Sequence, residues 1–495
     1  MLIIELNRAN YEYDVNSLVR AFYPGENVTI LTPESTVQRR RQTEESAQRC
    51  IQADERILRM SVELSEGGAR VELGGQLFTW DHGRVADYPY KQEFKRFLYG
   101  SLRQFTRKAL PWGSLTGIRP TKLAFGMLEQ GCTEQEILDT FTGTYDVSGE
   151  KARLGLDIAR REREILRTVE HEGDSEGYSL YVGIPFCPTT CLYCSFTSFP
   201  IAGYKKLVDA YIDCLIREME AVSSLMSGRA LDSVYIGGGT PTTLEPEQLV
   251  RLIKALKRYF DFGTVKEFTV EAGRADSITR EKLEALYGER VSRISVNPQT
   301  MNQRTLDIIG RRATVEQVEA AYRLAREVGF DNINMDLILG LPGETEDDVR
   351  RTIDQVTALA PDSLTVHSLA IKRASHMSQW IQENGVETLR NTDETMRIAA
   401  EGARRLGMEP YYLYRQKNMS GNFENVGYAK PGKYGLYNIL IMEEVQSIVA
   451  LGAGSITKRV YTDGRIERCE NVKEVAQYIG RIEEMIERKK RLLAD

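Results

Sequence analysis

Three cysteines lie close together in the sequence, and their spacing indicates a metal centre. In GIPFCPTTCLYCSF, residues 183–196, Cys187, Cys191 and Cys194 follow one another at intervals of four and three residues. Three thiolates on a [4Fe–4S] cube leave one iron without a protein ligand. An open coordination position is where a metal site binds a substrate or cofactor. The spacing therefore predicts a [4Fe–4S] cluster with one iron free to take part in chemistry.

Two other kinds of site use cysteines at similar spacing. A Cys3His zinc site needs a fourth ligand, and the nearest histidine, His171, lies in an acidic stretch at 170–177 that is typical of a linker. A redox Cys-x-x-Cys pair would use Cys191 and Cys194 and leave Cys187 without a role. The other cysteines are scattered, as buried apolar cysteines usually are: Cys50, Cys132, Cys214 and Cys469.

The cysteine motif follows the first of six strand-like runs that alternate with amphipathic helices. This alternation implies parallel strands joined by right-handed crossovers, so an open doubly wound sheet or a partial barrel is expected. The predicted strands are 178–184, 231–237, 267–273, 293–299, 332–340 and 363–370, and the predicted helices are 203–226, 245–260, 279–287, 314–328 and 346–359.

Glycine-rich or polar motifs stand at the ends of these strands, where ligands gather in parallel sheets. The glycines at 237–239 allow a backbone to approach a ligand closely, although the turn lacks the Gly-Lys-Ser/Thr of a phosphate loop. Glu271 and Asp336 are acids on otherwise apolar strands, which are costly to bury unless they are paired or bind a ligand. The structural alternative is an internal salt bridge with Arg274 or Arg311.

The composition restricts the class of protein. A chain of 495 residues with 42% hydrophobic and 27% charged residues is expected to form two or three globular domains. The net charge of −6 argues against a general nucleic-acid-binding protein. No apolar stretch approaches the ~20 residues that span a bilayer, and the N-terminal run MLIIEL is too short for a signal peptide. A cytoplasmic protein is therefore expected.

The cysteine motif resembles a known signature. Cys-x3-Cys-x2-Cys with an aromatic residue, Tyr193, before the last cysteine is similar to the motif of radical S-adenosylmethionine (SAM) enzymes. In that superfamily the amine and carboxylate of SAM chelate the fourth iron of a [4Fe–4S] cluster. The resemblance implies that SAM completes the cluster, with one SAM or two as open alternatives. It also implies that the reduced cluster splits SAM to release a 5′-deoxyadenosyl radical.

Further motifs resemble one group within this superfamily. YVGIPFCPTTCLYCSF, GGGTPT, NMDLILGLPGE and YNILIMEEVQSIVALGAGS together are similar to the oxygen-independent coproporphyrinogen III dehydrogenase group, and LTGIRPTK and TVEAGR are most like its HemZ branch. The resemblance implies an α/β fold built on a partial (β/α)6 radical SAM barrel. The predicted segments are a small α/β N-terminal domain (1–110), a helical connector and acidic linker (111–177), the barrel (178–375) and a C-terminal α+β extension covering the site (376–495).

The resemblance also implies which residues bind the cofactors. Gly183 replaces a histidine that is common before the motif, and Ser195 and Phe196 follow the triad where some members carry a fourth cysteine. No catalytic side chain is predicted, because the radical arises at the cluster. The implied cluster ligands are Cys187, Cys191 and Cys194, and the implied SAM residues are Tyr181, Gly237, Gly238, Gly239, Thr240, Glu271, Gln299, Arg311, Asp336 and Ala370.

The implied activity is the oxidative decarboxylation of coproporphyrinogen III to protoporphyrinogen IX, with a reductant such as flavodoxin or ferredoxin as partner. The alternatives are a haem chaperone and an anaerobic haem-modifying protein. Only four histidines are present, and His367 is the one candidate for an axial haem ligand. A tetracarboxylate substrate requires cationic anchors. The candidate anchors are Lys372, Arg373, Arg415 and Lys417, near the tyrosines of PYYLYRQKN (410–418).

Overall fold

The structure is a computed structural model that describes residues 1–24, 26–52, 56–81, 90–117, 119–171, 177–372, 375–385, 388–416 and 423–494. Contacts within the chain define two compact units. Unit 1 comprises residues 1–156 and 415–424, and unit 2 comprises residues 157–414 and 425–495. The four segments predicted from sequence patterns have different boundaries, and they stay predictions. No helix among the described residues is long and apolar enough to cross a bilayer.

Unit 1 contains a five-stranded mixed sheet in the order β2-β1-β3-β4-β5. β3 and β4 pair antiparallel across a glycine turn and form a hairpin. Leu98 and Leu102 of α3 lie in a core with Val15 of α1 and Val62 of β3. The elements are β1 (Leu2–Leu6), α1 (Glu12–Phe22), β2 (Val28–Leu31), α2 (Val37–Gln52), β3 (Leu58–Ser65), β4 (Gly68–Leu73), β5 (Gln76–Asp81), α3 (Tyr90–Thr106), α4 (Thr121–Glu129), α5 (Glu134–Asp139) and α6 (Gly149–Leu166), which continues into unit 2.

Unit 2 is built from six parallel neighbouring strands, and the predicted partial (β/α)6 barrel is confirmed. The strands of the cysteine motif and of the glycine turn are adjacent. The elements of the barrel are β6 (Gly177–Ile184), β7 (Phe186–Cys187), β8 (Phe199–Pro200), α7 (Val208–Leu225), β9 (Ala230–Gly238), α8 (Pro246–Tyr259), β10 (Glu267–Gly273), α9 (Arg280–Gly288), β11 (Arg293–Val296), α10 (Gln303–Ile308), α11 (Val315–Val328), β12 (Ile333–Leu339), α12 (Glu346–Leu359) and β13 (Ser363–Ser368).

The C-terminal part of the chain extends this sheet at both edges. The full order is β14-β15-β13-β12-β11-β10-β9-β6-β16-β17-β18, with β16 parallel to β6 and β15 antiparallel to β13. The elements are α13 (Met377–Asn384), α14 (Asp393–Arg405), β14 (Glu409–Tyr414), β15 (Asn425–Ala429), α15 (Leu436–Glu443), β16 (Ser447–Leu451), β17 (Ile456–Val460), β18 (Ile466–Glu470), α16 (Val475–Gly480) and α17 (Ile482–Leu493).

The six parallel strands carry different chemistry on their two faces. Successive side chains of a strand point to opposite faces. One row is apolar and fully buried, with Leu180, Val234, Val270, Ile294 and Leu337 among its members. The register places the other row together, and most of it is polar: Ser179, Tyr181, Ser233, Tyr235, Glu267, Thr269, Glu271, Arg293, Ser295, Asn334, Asp336, Ser363, Thr365 and His367. We call this second row the polar face.

A buried ion pair connects the C-terminal helix to the barrel. Lys489 of α17 lies 2.6 Å from the carboxylate of Glu218 on α7, and both side chains are inaccessible to solvent. The same carboxylate accepts hydrogen bonds from the Gly452 backbone N–H and the Tyr478 hydroxyl. One carboxylate therefore joins α7, α16, α17 and the turn after β16.

Candidate active site

The three motif cysteines follow β6, with Cys187 in the short strand β7 and the other two in the loop after it, and two of the thiols have a polar donor beside them. The Thr240 hydroxyl donates to Cys187 Sγ at 3.4 Å, and Arg274 Nη1 donates to Cys191 Sγ at 3.6 Å. None of the three forms a disulfide. Burial raises the pKa of the Cys187 thiol, and negative charge on Cys194 and Cys191 raises it further, so the three sulfurs share one electrostatic environment.

The loop is held by contacts with residues that follow β10 and α10. Arg274, just after β10, is buried and donates to both the carbonyl and the hydroxyl of Thr189. Its other guanidinium nitrogens bond to Asp276. The backbone N–H of Leu192 donates to the Ile309 carbonyl after α10, at 3.0 Å. The cysteine loop is thus fixed to its neighbours by bonds that do not use the thiols.

The described residues do not show the close ligand cluster of a single-ion zinc site. Among the described residues, no three Cys, His, Asp or Glu side chains stand close enough together to enclose one ion. A cube carries its thiolates on separate iron atoms, which spaces them more widely than the tetrahedral ligands of zinc. His171, the fourth ligand that a zinc site would need, has its Nε2 3.0 Å from the Asp232 carboxylate.

The glycine turn after β9 packs directly on the cysteine loop. The backbone N–H groups of Gly239 and Thr240 donate to the carbonyls of Ile184 and Phe186, both at 2.7 Å. A Cβ on Gly239 would lie 2.5 Å from the Phe186 carbonyl oxygen. Gly238 has φ +103°, a conformation that favours glycine. These two N–H groups therefore position the cysteine loop, and the contact of the turn with SAM stays a prediction.

Glu271 on β10 lies on the polar face beneath this turn. A Cβ on Gly237 would lie 2.9 Å from its carboxylate, so the glycine makes room for the acid. Burial raises the pKa of Glu271 to about 7; the hydrogen bond from the Tyr235 hydroxyl lowers it, and Asp336 raises it. The salt bridges with Arg274 or Arg311, proposed above as a structural alternative, are not found among the described residues.

Three tyrosines stack below Glu271. The rings of Tyr235 and Tyr437 are 4.5 Å apart at 21°, and Tyr181 stacks on both with centroids 6.3 Å away. Tyr437 is the second residue of α15, and the backbone N–H groups of Leu436 and Tyr437 donate to the Glu267 carboxylate. Glu267 thus caps α15 and places Tyr437 on the polar face, so that the C-terminal segment supplies part of the floor of the site.

Several buried polar atoms at the strand ends lack a hydrogen-bond partner within the protein. Gln299 has φ +68°, an unusual value for a non-glycine residue, and its Oε1 is buried without a partner. Asn297 Oδ1 and Arg311 Nε are also buried without partners. Arg311 otherwise donates to the Asn297 carbonyl and to the Tyr193 hydroxyl of the cysteine motif. Orphaned polar atoms are costly, and a ligand rich in polar groups would satisfy them.

Asp336 and Ala370 complete the set of predicted cofactor residues. Asp336 on β12 accepts a hydrogen bond from Asn334 at 2.7 Å and lies 4.0 Å from His367 Nε2. Ala370 is partly buried just after β13. The donor set fits SAM in kind, because carboxylates suit its hydroxyls and the orphaned amide and guanidinium atoms suit its other polar atoms.

The chain is similar to proteins of one superfamily. A sequence profile of the Radical SAM superfamily matches residues 181–356. The chain is 39% identical over 447 residues to the oxygen-independent coproporphyrinogen-III oxidase-like protein HemZ of Bacillus subtilis, covering 87% of this chain and 89% of that protein. The chain belongs to the HemZ branch of the oxygen-independent coproporphyrinogen III oxidase group. Its cofactors are those of a radical SAM protein, a [4Fe–4S] cluster and SAM.

Other relatives of this HemZ-type chain carry different names. The heme chaperone HemW of Lactococcus lactis is 31% identical over 278 residues, covering 56% of this chain and 68% of that protein. Among solved structures, the coproporphyrinogen III oxidase HemN of Escherichia coli aligns with a TM-score of 0.51 and 24% identity, covering 65% of this chain and 72% of that one. The structural likeness confirms the fold.

The candidate substrate anchors of this HemZ-type chain lie in different places. Lys372 is near the cysteine loop, because its ammonium lies 5.7 Å from the centre of the Phe196 ring. Burial lowers the pKa of Lys372, and negative charge on Cys194 raises it. Arg415 is only 6% exposed, in unit 1, and donates to the Leu115 carbonyl. Burial lowers the pKa of Arg415 to about 10. Arg415 is therefore buried, and its role as a substrate anchor stays a prediction. Arg373 and Lys417 lie outside the described residues.

Sequence reasoning missed four residues that organise the site. The sequence patterns assign no role in the site to these four: Tyr235, Glu267, Tyr437 and Arg274. Tyr235 and Glu267 lie on the same face of their strands as Tyr181 and Glu271. The alternation of side chains along each strand could have identified Tyr235 and Glu267. The roles of Tyr437 and Arg274 depend on tertiary contacts.

Proposed function

We propose that the chain catalyses the oxygen-independent oxidative decarboxylation of coproporphyrinogen III to protoporphyrinogen IX. One observation carries the proposal. The cysteine loop and Glu271 lie at the same end of the parallel strands as Gln299 Oε1 and Arg311 Nε, which are buried without hydrogen-bond partners. When bound there, the cluster and SAM supply a radical that can abstract a hydrogen atom.

The reaction requires two equivalent changes in the substrate. Each of two propionate side chains loses a hydrogen atom to this radical, then releases carbon dioxide, passes one electron to an external one-electron acceptor, and becomes a vinyl group. In this proposal Cys187, Cys191 and Cys194 hold the cluster. Glu271 and Asp336 accept hydrogen bonds from the cofactor, and Lys372 offers a positive charge to a substrate carboxylate on the same side as Cys194. The backbone N–H groups of Gly239 and Thr240 hold the start of the cysteine loop through the Ile184 and Phe186 carbonyls.

The second candidate is a haem chaperone, and the observation in its favour is the similarity to HemW. One structural feature weighs against it. His367, the only histidine on the polar face of the described strands, has Nδ1 3.4 Å from the Tyr414 hydroxyl and Nε2 4.0 Å from Asp336. Both ring nitrogens therefore have close neighbours, and an axial bond to haem would require His367 to leave them.

Product analysis separates the two candidates. Anaerobically reconstituted protein is given a reductant, SAM and coproporphyrinogen III, and the porphyrins are resolved by mass. Products in which one or two propionates have each lost carbon dioxide and two hydrogen atoms support the enzyme. A protein that releases 5′-deoxyadenosine, forms no vinyl group and retains haem during gel filtration supports the chaperone. The Cys191→Ser variant is the control, because it keeps the fold and removes one cluster ligand.

A further inference from the structure

A small basic surface borders the cysteine loop. Phe196, two residues after Cys194, is 71% exposed, although phenylalanine is normally buried. Lys205 and Lys206 are exposed on a short helical turn, and among the described residues neither takes part in an ion pair. We call Phe196, Lys205 and Lys206 the basic edge.

The basic edge is attached to the cluster ligands through short contacts. Cys187 of β7 pairs with Pro200 of β8, and the chain then turns directly into the helical turn of the two lysines. The Tyr204 ring, next to Lys205, packs on Phe186 and Phe199 with centroids 6.2 and 5.1 Å away. The segment is therefore fixed beside the cysteine loop and does not depend on the loop alone for its position.

The charge of this segment differs from that of the rest of the chain. Residues 177–208 contain no Asp or Glu, although the chain has 71 acidic residues and a net charge of −6. The first acid after the lysines is Asp209, at the start of α7. A positive patch on a negative protein attracts an acidic partner to one place and repels it elsewhere.

We propose that the basic edge is the docking surface for a small acidic electron-carrier protein of the flavodoxin type, which reduces the cluster. This inference rests on the proposed function, because it assumes that the three cysteines hold a redox-active cluster. One electron moves in each encounter: the reduced carrier loses it and the oxidised cluster gains it, with no bond formed. Electron transfer slows steeply with distance, so the carrier has to dock close to the cysteine loop.

The size and composition of the surface suit such an encounter. Redox partners form small, weak interfaces, in which charge guides the approach and a few apolar contacts fix the orientation. Phe196 supplies an apolar centre, and the lysines supply the charge. Lys372, which lies over the Phe196 ring, is left unchanged in the test because we assign it to the substrate.

The test compares a protein donor with a chemical donor. The Lys205→Glu/Lys206→Glu variant is prepared with its cluster, and cluster reduction is followed by the loss of visible absorbance in stopped flow. Reduced flavodoxin is one donor and dithionite is the other. We expect flavodoxin to react roughly ten- to a hundred-fold more slowly with the variant in about 0.02 M salt, and the difference to shrink in about 0.5 M salt. Dithionite should reduce both proteins equally.

A matched control removes the effect of total charge. The Lys254→Glu/Lys490→Glu variant changes the net charge by the same amount at exposed positions of α8 and α17, and it should react with flavodoxin within about threefold of wild type. Equal slowing of both variants, or a wild type that flavodoxin does not reduce, would overturn the docking surface. Absence of an iron–sulfur spectrum in wild type would instead refute the proposed function.

Discussion

The Tyr235 hydroxyl donates a hydrogen bond to the carboxylate of Glu271 from the neighbouring strand. The pKa of Glu271 is raised to about 7, chiefly by burial and also by the charge of Asp336, whereas the hydrogen bond from Tyr235 lowers it. Burial therefore favours the neutral form of Glu271, whereas the hydrogen bond from Tyr235 favours the charged form. A carboxylate also retains free lone pairs for other donors, and this is the state that the hydroxyls of a nucleoside would bind.

Replacement of Tyr235 by phenylalanine should weaken cofactor binding in a pH-dependent way. Without the hydroxyl, the pKa of Glu271 rises above about 7, so more of the acid is neutral at pH 7. We expect S-adenosylhomocysteine to bind roughly three- to tenfold more weakly at pH 7 and to recover as the pH rises toward about 9. Calorimetric titration of the cluster-containing protein between about pH 6 and 9 measures the shift.

Tyr437→Phe is the matched control for this prediction. Tyr437 lies in the same aromatic stack, but its hydroxyl makes no hydrogen bond to Glu271 within the described part of the chain. Its pH profile should therefore coincide with that of wild type. A Tyr235→Phe profile that is lowered equally at every pH would mean that the tyrosine acts through packing.

Each motif cysteine should be required for the cluster. Cys187→Ala, Cys191→Ala and Cys194→Ala should each abolish stoichiometric iron and sulfide in anaerobically purified protein, because a cube with two thiolates is poorly held. Cys132→Ala should keep the full content, since it lies in unit 1 away from the motif in sequence. Stoichiometric zinc without sulfide in wild type would contradict the cluster.

Gly239→Ala should damage the cysteine loop more than it damages the barrel. Its Cβ would stand 2.5 Å from the Phe186 carbonyl oxygen, so the loop or the turn has to move. Overpacking of this kind costs about 1–3 kcal/mol, and we expect a lower Tm together with reduced iron content. Gly203→Ala is the control, because nothing lies within 4 Å of its added Cβ. Full iron content in Gly239→Ala would show that the turn adapts.

The order of strands and helices in unit 2 could be predicted because the physical signal is local. Alternating apolar runs and amphipathic stretches give the bounds to within a few residues: the predicted strand at 267–273 is β10, and the predicted helix at 346–359 is α12. The cysteine spacing is equally local, and it indicates one kind of cluster. The family resemblance then adds the cofactor.

The surroundings of Glu271 and Arg415 could not be predicted because they depend on tertiary contacts. The sequence around a carboxylate on a strand is the same whether its partner in the fold is an arginine or a tyrosine. The partner of Glu271 can be identified as Tyr235 only when the register of β9 and β10 is known. Arg415 stands in an aromatic, cationic stretch that suggests an open binding segment. Whether it faces solvent is decided by residues about 300 positions away, such as Leu115.

The ion pair of Lys489 and Glu218 should be essential for the stability of unit 2. Lys489→Met leaves a carboxylate buried without its cation, and this costs about 3–5 kcal/mol. The effect should extend to the cysteine strand, because Glu218 holds the Gly452 N–H and the nearby Tyr211 hydroxyl bonds to both Ala453 and Gly183. Urea unfolding followed by the cluster absorbance should show the lower midpoint.

Lys490→Met, at the exposed neighbouring position, should not change this midpoint. Lys489→Met/Glu218→Leu should recover part of the lost stability, because both charges are then absent. If the double variant is no more stable than Lys489→Met, packing by the lysine stem would outweigh the buried charge.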